Sequence, residues 1–234
     1  MKSLKFHFES LLDDDDVFFD PANDKKYIEE WIRNNYNITG KLTISDDFVV
    51  DCDKYVYVEN KNITSLANGI FRWGKVRGHF YCNHCNNLTT LEGAPKEVGG
   101  NFHCGSCNNL TTLEGAPKEV NGSFDCSDCT KLKSLEGAPE KINEDFICRK
   151  CNNLTSLEGA PKKVKGGFSC SNCENLTSLK GAPEKVEGVF NCNNCNKLTT
   201  LEGAPKKVGG GFYCSGCKNL KITDSDRKKY KIKN

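Results

Sequence analysis

Apolar residues recur along most of this chain in one fixed pattern. Each copy opens with Phe-x-Cys, continues with a second Cys and two leucines at intervals of three, and closes with Ala-Pro and a Val or Ile. The alternation at Phe-x-Cys predicts a short β-strand whose apolar side chains face a core. A typical copy is FSCSNCENLTSLKGAPEKVEGV, from Phe168 to Val189, and its proline and glycines disfavour a helix. The pattern therefore predicts short strands joined by turns.

The copies follow one another at a constant spacing of 22 residues. Six complete units run from Phe80 to Gly211, and a seventh begins at Phe212. One unit holds too few apolar side chains to bury by itself, whereas stacked units bury a shared core. The sequence therefore predicts a mainly β repeat solenoid with a parallel sheet on one face and irregular connections on the other.

The repeated unit resembles a known family of solenoid repeats. Its first half, Phe-x-Cys-x-x-Cys-x-x-Leu-x-x-Leu, resembles a leucine-rich repeat in which Phe and Cys occupy apolar strand positions. The whole unit, with segments such as LEGAPKKVGG, is similar to a 22-residue repeat seen in predicted proteins of tailed bacteriophages. The resemblance covers about residues 55 to 220. It implies a solenoid with its binding surface on the strands, in a phage-encoded protein of the bacterial cytoplasm.

Four segments are expected along the chain. Residues 1–22 form a leader, interpreted as flexible or as a docking helix, and residues 23–79 form a small α+β cap with a divergent first repeat. Residues 80–219 hold the tandem units, and residues 220–234 form a basic cap or tail. Caps at both ends are expected because the terminal units of a solenoid would otherwise expose the core.

The N-terminal cap carries a helical pattern followed by short strands. Asn23 or Asp24 is the candidate N-cap of the helix, and Gly40 ends the segment. The stripe expected on one helix face comprises Tyr27, Ile28, Trp31, Ile32 and Asn35. KLTI and DFVVDC predict strands. In the divergent repeat, the Phe, Cys, Cys, Leu and Leu positions are assigned to Tyr55, Tyr57, Asn60, Ile63 and Leu66.

The Cys-x-x-Cys pairs fit a zinc site, a redox pair or a buried core position. Zinc needs four ligands, but seven equally spaced pairs give no reason for one pair to join the unit above rather than the unit below. The divergent repeat also lacks both cysteines. We therefore predict no metal and no cofactor, although zinc binding and disulfides between neighbouring units stay open as alternatives. The cysteines assigned to the core are Cys82, Cys85, Cys104, Cys107, Cys126, Cys129, Cys148, Cys151, Cys170, Cys173, Cys192, Cys195, Cys214 and Cys217.

Composition narrows the choice of function. The 234 residues carry a net charge of only +2, which argues against a protein built to hold nucleic acid. No segment approaches the ~20 apolar residues of a membrane helix, so neither a membrane nor a specific nucleic acid is an expected partner. MKSLKFHFESLL lacks the pattern of a secretory signal, so the fifteen cysteines are expected to be reduced in a cytosol. No catalytic constellation is evident, and an enzyme is not predicted.

The residues that differ most between units are the one after each Phe and the two between the cysteines. They are predicted to face solvent, and the resemblance to leucine-rich repeats implies that they bind a partner. Neutral variation at exposed sites is the alternative. Asp125 and Asp128 are expected to face Arg149 and Lys150 on the next strand, where pairing would stabilise the sheet without recognising anything. The binding candidates are Tyr81, His84, His103, Asp125, Asp128, Arg149, Lys150, Asn191, Asn194 and Tyr213.

A non-enzymatic scaffold that binds an unidentified protein on its strands is the favoured function. The alternative is a virion-associated structural or assembly protein. It depends on Leu4, Phe8, Leu11 and Leu12, whose spacing resembles the segments that direct internal proteins of large tailed phages into the prohead. A cysteine-rich protein with several metal sites is the lesser alternative. The sequence leaves the oligomeric state open.

Overall fold

The Phe-x-Cys positions form short strands that stack in parallel, as predicted. The computed structural model describes residues 21–67 and 69–232, and these contain one sheet of nine strands. In spatial order they are β1 (Tyr36–Ile38), β4 (Val56–Val58), β6 (Phe80–Tyr81), β8 (Phe102–His103), β10 (Phe124–Asp125), β12 (Phe146–Ile147), β14 (Phe168–Ser169), β16 (Phe190–Asn191) and β18 (Phe212–Tyr213). Neighbouring strands are parallel except for β1 and β4. The mainly β solenoid is therefore confirmed.

The connections between these strands are more regular than the sequence suggests, because each carries a second short strand. One further sheet contains, in order, β11 (Lys141–Ile142), β9 (Glu119–Val120), β7 (Glu97–Val98), β5 (Arg72–Val76), β3 (Val49–Cys52) and β2 (Leu42–Ile44). Another contains β13 (Lys163–Val164), β15 (Lys185–Val186) and β17 (Lys207–Val208). In the tandem units such a strand has two residues with one apolar side chain, too little to give a periodic signal.

Copies of the same side chain stack on one another through the core. The phenylalanine rings from Phe80 to Phe212 form a column in which neighbouring centroids lie 5.1–5.5 Å apart. Their planes are nearly parallel, an arrangement that in-register parallel strands impose. The paired leucines of each complete unit are buried beside this column. The core is therefore continuous along the solenoid and has no boundary between units.

Each unit reverses direction at residues with a left-handed backbone. The glycine before Ala-Pro has φ between +81° and +88° in all six complete units. A Cβ atom at Gly137 would also collide with the backbone nitrogen of Glu114 in the unit below. Both constraints require glycine at this position. The second residue between the cysteines is also left-handed, at His84, Ser106, Asp128, Lys150, Asn172, Asn194 and Gly216.

The N-terminal cap contains the predicted helix, but its bounds differ from the prediction. Helix α1 (Pro21–Asn35) buries Ile28 and Ile32, whereas Tyr27 is 48% exposed and does not join the buried stripe. The predicted N-cap at Asn23 or Asp24 is wrong, because both lie inside α1. The predicted end at Gly40 is also wrong, because the chain leaves the helix at β1 to pair with β4. The strands predicted in KLTI and DFVVDC are present as β2 and β3.

The predicted alignment of the divergent repeat with the regular units is wrong by one residue at its strand, because Val56 and not Tyr55 occupies the Phe position. Val56 pairs with Phe80, and Tyr57 pairs with Tyr81, so Val58 takes the place of the first cysteine. The alternation YVYV fits either phase equally well. The observed phase buries Val56 and Val58 and leaves Tyr55 exposed and Tyr57 partly exposed.

The C-terminal segment ends in a short helix that the sequence analysis did not identify. Thr223 caps α2 (Asp224–Tyr230): its hydroxyl accepts the N–H of Asp226, whose carboxylate accepts the N–H of Thr223. The Tyr230 ring stacks on Phe212 with 4.3 Å between centroids, so α2 covers the last phenylalanine. Residues 1–20 of the predicted leader lie outside the described part of the chain. In the part that is described, neither helix is long and apolar enough to cross a membrane.

Removal of one ring from the phenylalanine column should destabilise the whole fold. Phe146 is fully buried between Phe124 and Phe168. We expect Phe146→Ala to lower the free energy of unfolding by about 3–5 kcal/mol, measured by guanidinium denaturation in reducing buffer. Ile147→Ala, on the opposite side of the same strand, should cost about 1 kcal/mol or less. Equal losses would contradict the column as the main source of core stability.

Candidate functional site

The outward side chains of the nine-stranded sheet and of the turns that follow it form one surface, which we call the strand face. All ten predicted binding residues lie there, and none is buried. The exposed ones are His84, Arg149, Lys150, Asn194 and Tyr213. The partly buried ones are Tyr81, His103, Asp125, Asp128 and Asn191. Each of them can therefore contact a molecule placed over the sheet.

Two other positions that were expected to face solvent do not. Ser169 and Ser171 are only 7% and 6% exposed. The Arg149 side chain reaches across from the preceding unit, and its Nε donates to Ser169 Oγ at 3.0 Å. The two serine hydroxyls lie 3.4 Å apart. A long side chain in one unit thus determines which residues of the next unit are accessible.

Aromatic rings cluster on the strand face near the N-terminal cap. Tyr57 stacks on Tyr81 at 4.8 Å between centroids, and Tyr81 stacks on His103 at 4.9 Å. Beside this row, Tyr55 stacks on His79 at 4.8 Å, and His79 lies 5.6 Å from Tyr81. We call these five residues the aromatic cluster. Sequence reasoning assigned Tyr55 and Tyr57 to the core because it gave the divergent repeat the wrong phase, and it missed His79 because only the residue after each Phe and the two between the cysteines were considered. The other phase of YVYV was the signal that could have found the two tyrosines.

The aromatic cluster continues into an acidic group. The carboxylate of Asp125 lies 3.8 Å from Nδ1 of His103 and accepts the backbone N–H of Ser127 at 2.8 Å. Burial raises the pKa of Asp125, but the His103 imidazole and the Ser127 hydrogen bonds outweigh it, so the pKa lies below its usual range. Asp125 therefore presents a negative charge at neutral pH.

One of the two expected cross-strand charge contacts is present. Lys150 Nζ lies 3.6 Å from Asp128 Oδ1, as predicted. Arg149 does not pair with Asp125, because its guanidinium turns toward Ser169 in the opposite direction along the stack. The Lys150–Asp128 pair is about half-exposed, and such pairs contribute ~0–1 kcal/mol. These charges therefore add little to stability and remain accessible to a partner.

The cysteines connect neighbouring units through thiol hydrogen bonds. In six units the second cysteine donates its S–H to the carbonyl of the first cysteine one unit earlier, at 3.1–3.3 Å. We call this series the thiol ladder. Its donors, in order, are Cys107, Cys129, Cys151, Cys173, Cys195 and Cys217. All fifteen cysteines are free thiols, and all but Cys217 are buried.

Burial keeps the first cysteine of the Cys-x-x-Cys pairs in its uncharged thiol form. It raises the pKa of Cys82, Cys104 and Cys148 well above the usual value, so these thiols are uncharged at neutral pH. Within residues 21–67 and 69–232, no group of three or more His, Cys, Asp or Glu side chains is arranged to hold a metal ion. His84 and His103 are thus not part of such a group.

Comparison with family models, with curated proteins and with solved structures found no match for this chain. The structure itself shows the repeat solenoid. The likeness of the unit to leucine-rich repeats and to tailed-phage proteins stays a prediction.

The contribution of the thiol ladder can be measured at one contact. Cys129 donates to the carbonyl of Cys104, and both side chains are fully buried. Cys129→Ala removes the donor and leaves a buried carbonyl unsatisfied, whereas Cys104→Ala deletes the same volume and keeps the contact. We expect Cys129→Ala to lower the free energy of unfolding by about 1 kcal/mol more than Cys104→Ala does, in guanidinium denaturation with reductant. Indistinguishable midpoints would show that the thiol acts only by filling space.

Proposed function

We propose that this protein is a non-enzymatic scaffold that binds a protein partner on the strand face. One observation carries the proposal: a nearly constant framework presents outward residues that change chemistry from unit to unit. The row after the phenylalanine position, in register, is Tyr57, Tyr81, His103, Asp125, Ile147, Ser169, Asn191 and Tyr213. The core and turn residues below this row repeat almost unchanged.

The chemistry of the strand face suits recognition of a protein. Tyrosine is enriched in protein interfaces because it supplies a large contact area and loses few rotamers on binding. The aromatic cluster offers such an area, and the charges of Asp125, Asp128, Arg149 and Lys150 lie in the units that follow. Because each outward residue is fixed by its register in the stack, a partner would bind a preformed surface.

Two other functions remain less well supported. A metal-binding role for the cysteines would have to break the thiol ladder, because a metal-bound sulfur has lost the proton that it donates. A virion or assembly role depends on the N-terminal segment, and residues 1–20 lie outside the described chain. An origin in a tailed phage, with action in the bacterial cytoplasm, is supported by the resemblance of the 22-residue unit.

A matched pair of variants tests the strand face as the binding surface. The face variant changes Asp125, Asp128, Arg149 and Lys150 to Ala, which leaves the net charge unchanged. The control changes Lys75, Glu97, Glu119 and Lys141 to Ala. It is also neutral and removes the ion pairs Lys75–Glu97 (2.9 Å) and Lys141–Glu119 (3.1 Å) from the connecting strands. Both variants and the unchanged protein serve as bait in bacterial lysate under reducing conditions.

We expect a partner captured by the unchanged protein and by the control to be lost from the face variant. The expected loss is at least tenfold in recovered partner, because truncating a charged residue that is buried and paired in an interface costs about 2 kcal/mol or more. Circular dichroism of both variants checks that the solenoid remains folded. Equal recovery with the face variant, or equal loss with the control, would overturn the strand-face assignment.

A further inference from the structure

A hollow opens at the edge of the strand face, next to the aromatic cluster. Its volume is about 510 Å³, and its walls and floor belong to the first turns of the solenoid. The lining residues are Asp53, Lys54, Tyr55, Arg77, Gly78, His79, Gly99 and Gly100. Tyr55 and His79 belong both to the hollow and to the aromatic cluster, so the two features are continuous.

The floor of the hollow is bare backbone. A Cβ atom at Gly99 would collide with the carbonyl oxygen of Arg77, and one at Gly100 would collide with the His79 ring. A Cβ atom at Gly78 would strike the Tyr55 ring. These three positions therefore cannot carry a side chain without rearrangement.

His79 supplies a hydrogen-bond donor at the hollow. Nδ1 of His79 accepts the backbone N–H of Asn101 at 2.7 Å, so that ring nitrogen carries no proton. The remaining proton of the neutral imidazole is therefore on Nε2. Stacking against Tyr55 holds the ring plane. His79 thus offers an N–H donor that its own hydrogen bond and its neighbour keep oriented.

The charges around the hollow are unbalanced. Arg77 and Lys54 are exposed, and neither forms an ion pair with any residue that the structure describes. The one carboxylate in the lining, that of Asp53, accepts the backbone N–H of Lys41 at 2.7 Å. The lining thus holds two cationic side chains and an imidazole N–H against one carboxylate. Oxyanions are the groups that such donors bind best.

We propose that the hollow binds a carboxylate side chain from an acidic segment of the protein partner. The idea rests on the proposed function, since it assigns to that partner a segment lying beside the aromatic cluster. Arg77 would donate two parallel hydrogen bonds to the carboxylate, while Lys54 supplies attraction at longer range. Partner residues next to the carboxylate would contact Tyr55 and Tyr57. The hollow therefore selects partners with acidic residues beside apolar ones.

The direct test uses a short acidic peptide and the glycines of the floor. Protein labelled with ¹⁵N-glycine is titrated at low ionic strength with acetylated tetraglutamate amide, with tetralysine amide and with inorganic phosphate. We expect tetraglutamate to shift the amide signals of Gly78, Gly99 and Gly100, and tetralysine to shift none of them. No shift with tetraglutamate would overturn the proposal. Shifts with phosphate but not with tetraglutamate would reassign the hollow to free anions and also overturn it.

Two variants and one control test whether tetraglutamate binds the residues that line the hollow. Arg77→Gln should weaken tetraglutamate binding roughly tenfold, because a charge-assisted bidentate contact is lost. His79→Asn should weaken it too while keeping the fold, since Asn101 already accepts the N–H of Ser123 at 3.0 Å in the same position one unit later. Lys118→Gln, an equal charge change outside the hollow, should have no effect. Equal weakening by Lys118→Gln would reduce the result to net charge and contradict the site.

The proposals for the hollow and for the strand face can be contradicted separately. If Arg77→Gln weakens peptide binding and also lowers partner capture, both assignments hold. If capture responds to the strand-face variant but not to Arg77→Gln, the hollow is not part of the interface. If tetraglutamate binds at the glycines but capture ignores the strand-face variant, the scaffold proposal fails on its own measurement.

Discussion

Each unit must end its strand after two residues without leaving a carbonyl group unsatisfied in the core. In the first tandem unit, the N–H of Gly105, which would continue the parallel ladder, donates to Asn83 Oδ1. The carbonyl of Cys82 then receives the thiol of Cys107 instead. An unsatisfied buried acceptor costs roughly 1–3 kcal/mol. The thiol contact recurs in the later units, whereas the N–H that leaves the ladder finds a different side-chain acceptor in several of them. Cysteine suits this position because it is small, apolar enough for the core and still a donor.

The same repetition determines what the surface can be. Because strands stack in register, every outward residue lies beside its counterparts in the units above and below, about 4.8 Å away. Opposite charges in such rows pair, as Glu119 and Lys141 do, and aromatic rings stack, as Tyr57 and Tyr81 do. A change at one position therefore alters the environment of two others. Arg149 illustrates this effect, since it covers the serines of the following unit.

The period of 22 residues was enough to predict the solenoid, because a constant spacing permits only a stack in which like positions coincide. Boundaries that depend on long-range pairing were not predictable from local pattern. Helix α1 ends where β1 pairs with β4, and the phase of YVYV is decided by which face of β4 reaches the core. Helix α2 was missed because it has no buried apolar stripe: Tyr230 reaches the core through contacts with Phe212 and Pro205, which are distant in sequence. The outward positions of the regular units were predictable, whereas the place of Tyr55 and Tyr57 in the aromatic cluster depended on the correct register.

The hollow lies where a column of equivalent residues changes its side chain from unit to unit. Backbone hydrogen bonds place Arg77, Gly99 and Asn121 at equivalent positions of successive units. The column therefore passes from a long cation to no side chain and then to an amide. Gly99 lines the hollow together with Arg77 and Lys54, and the stacked rings of Tyr55 and His79 line it as well. Departures from the repeat, more than the repeat itself, are thus where this fold can acquire specificity.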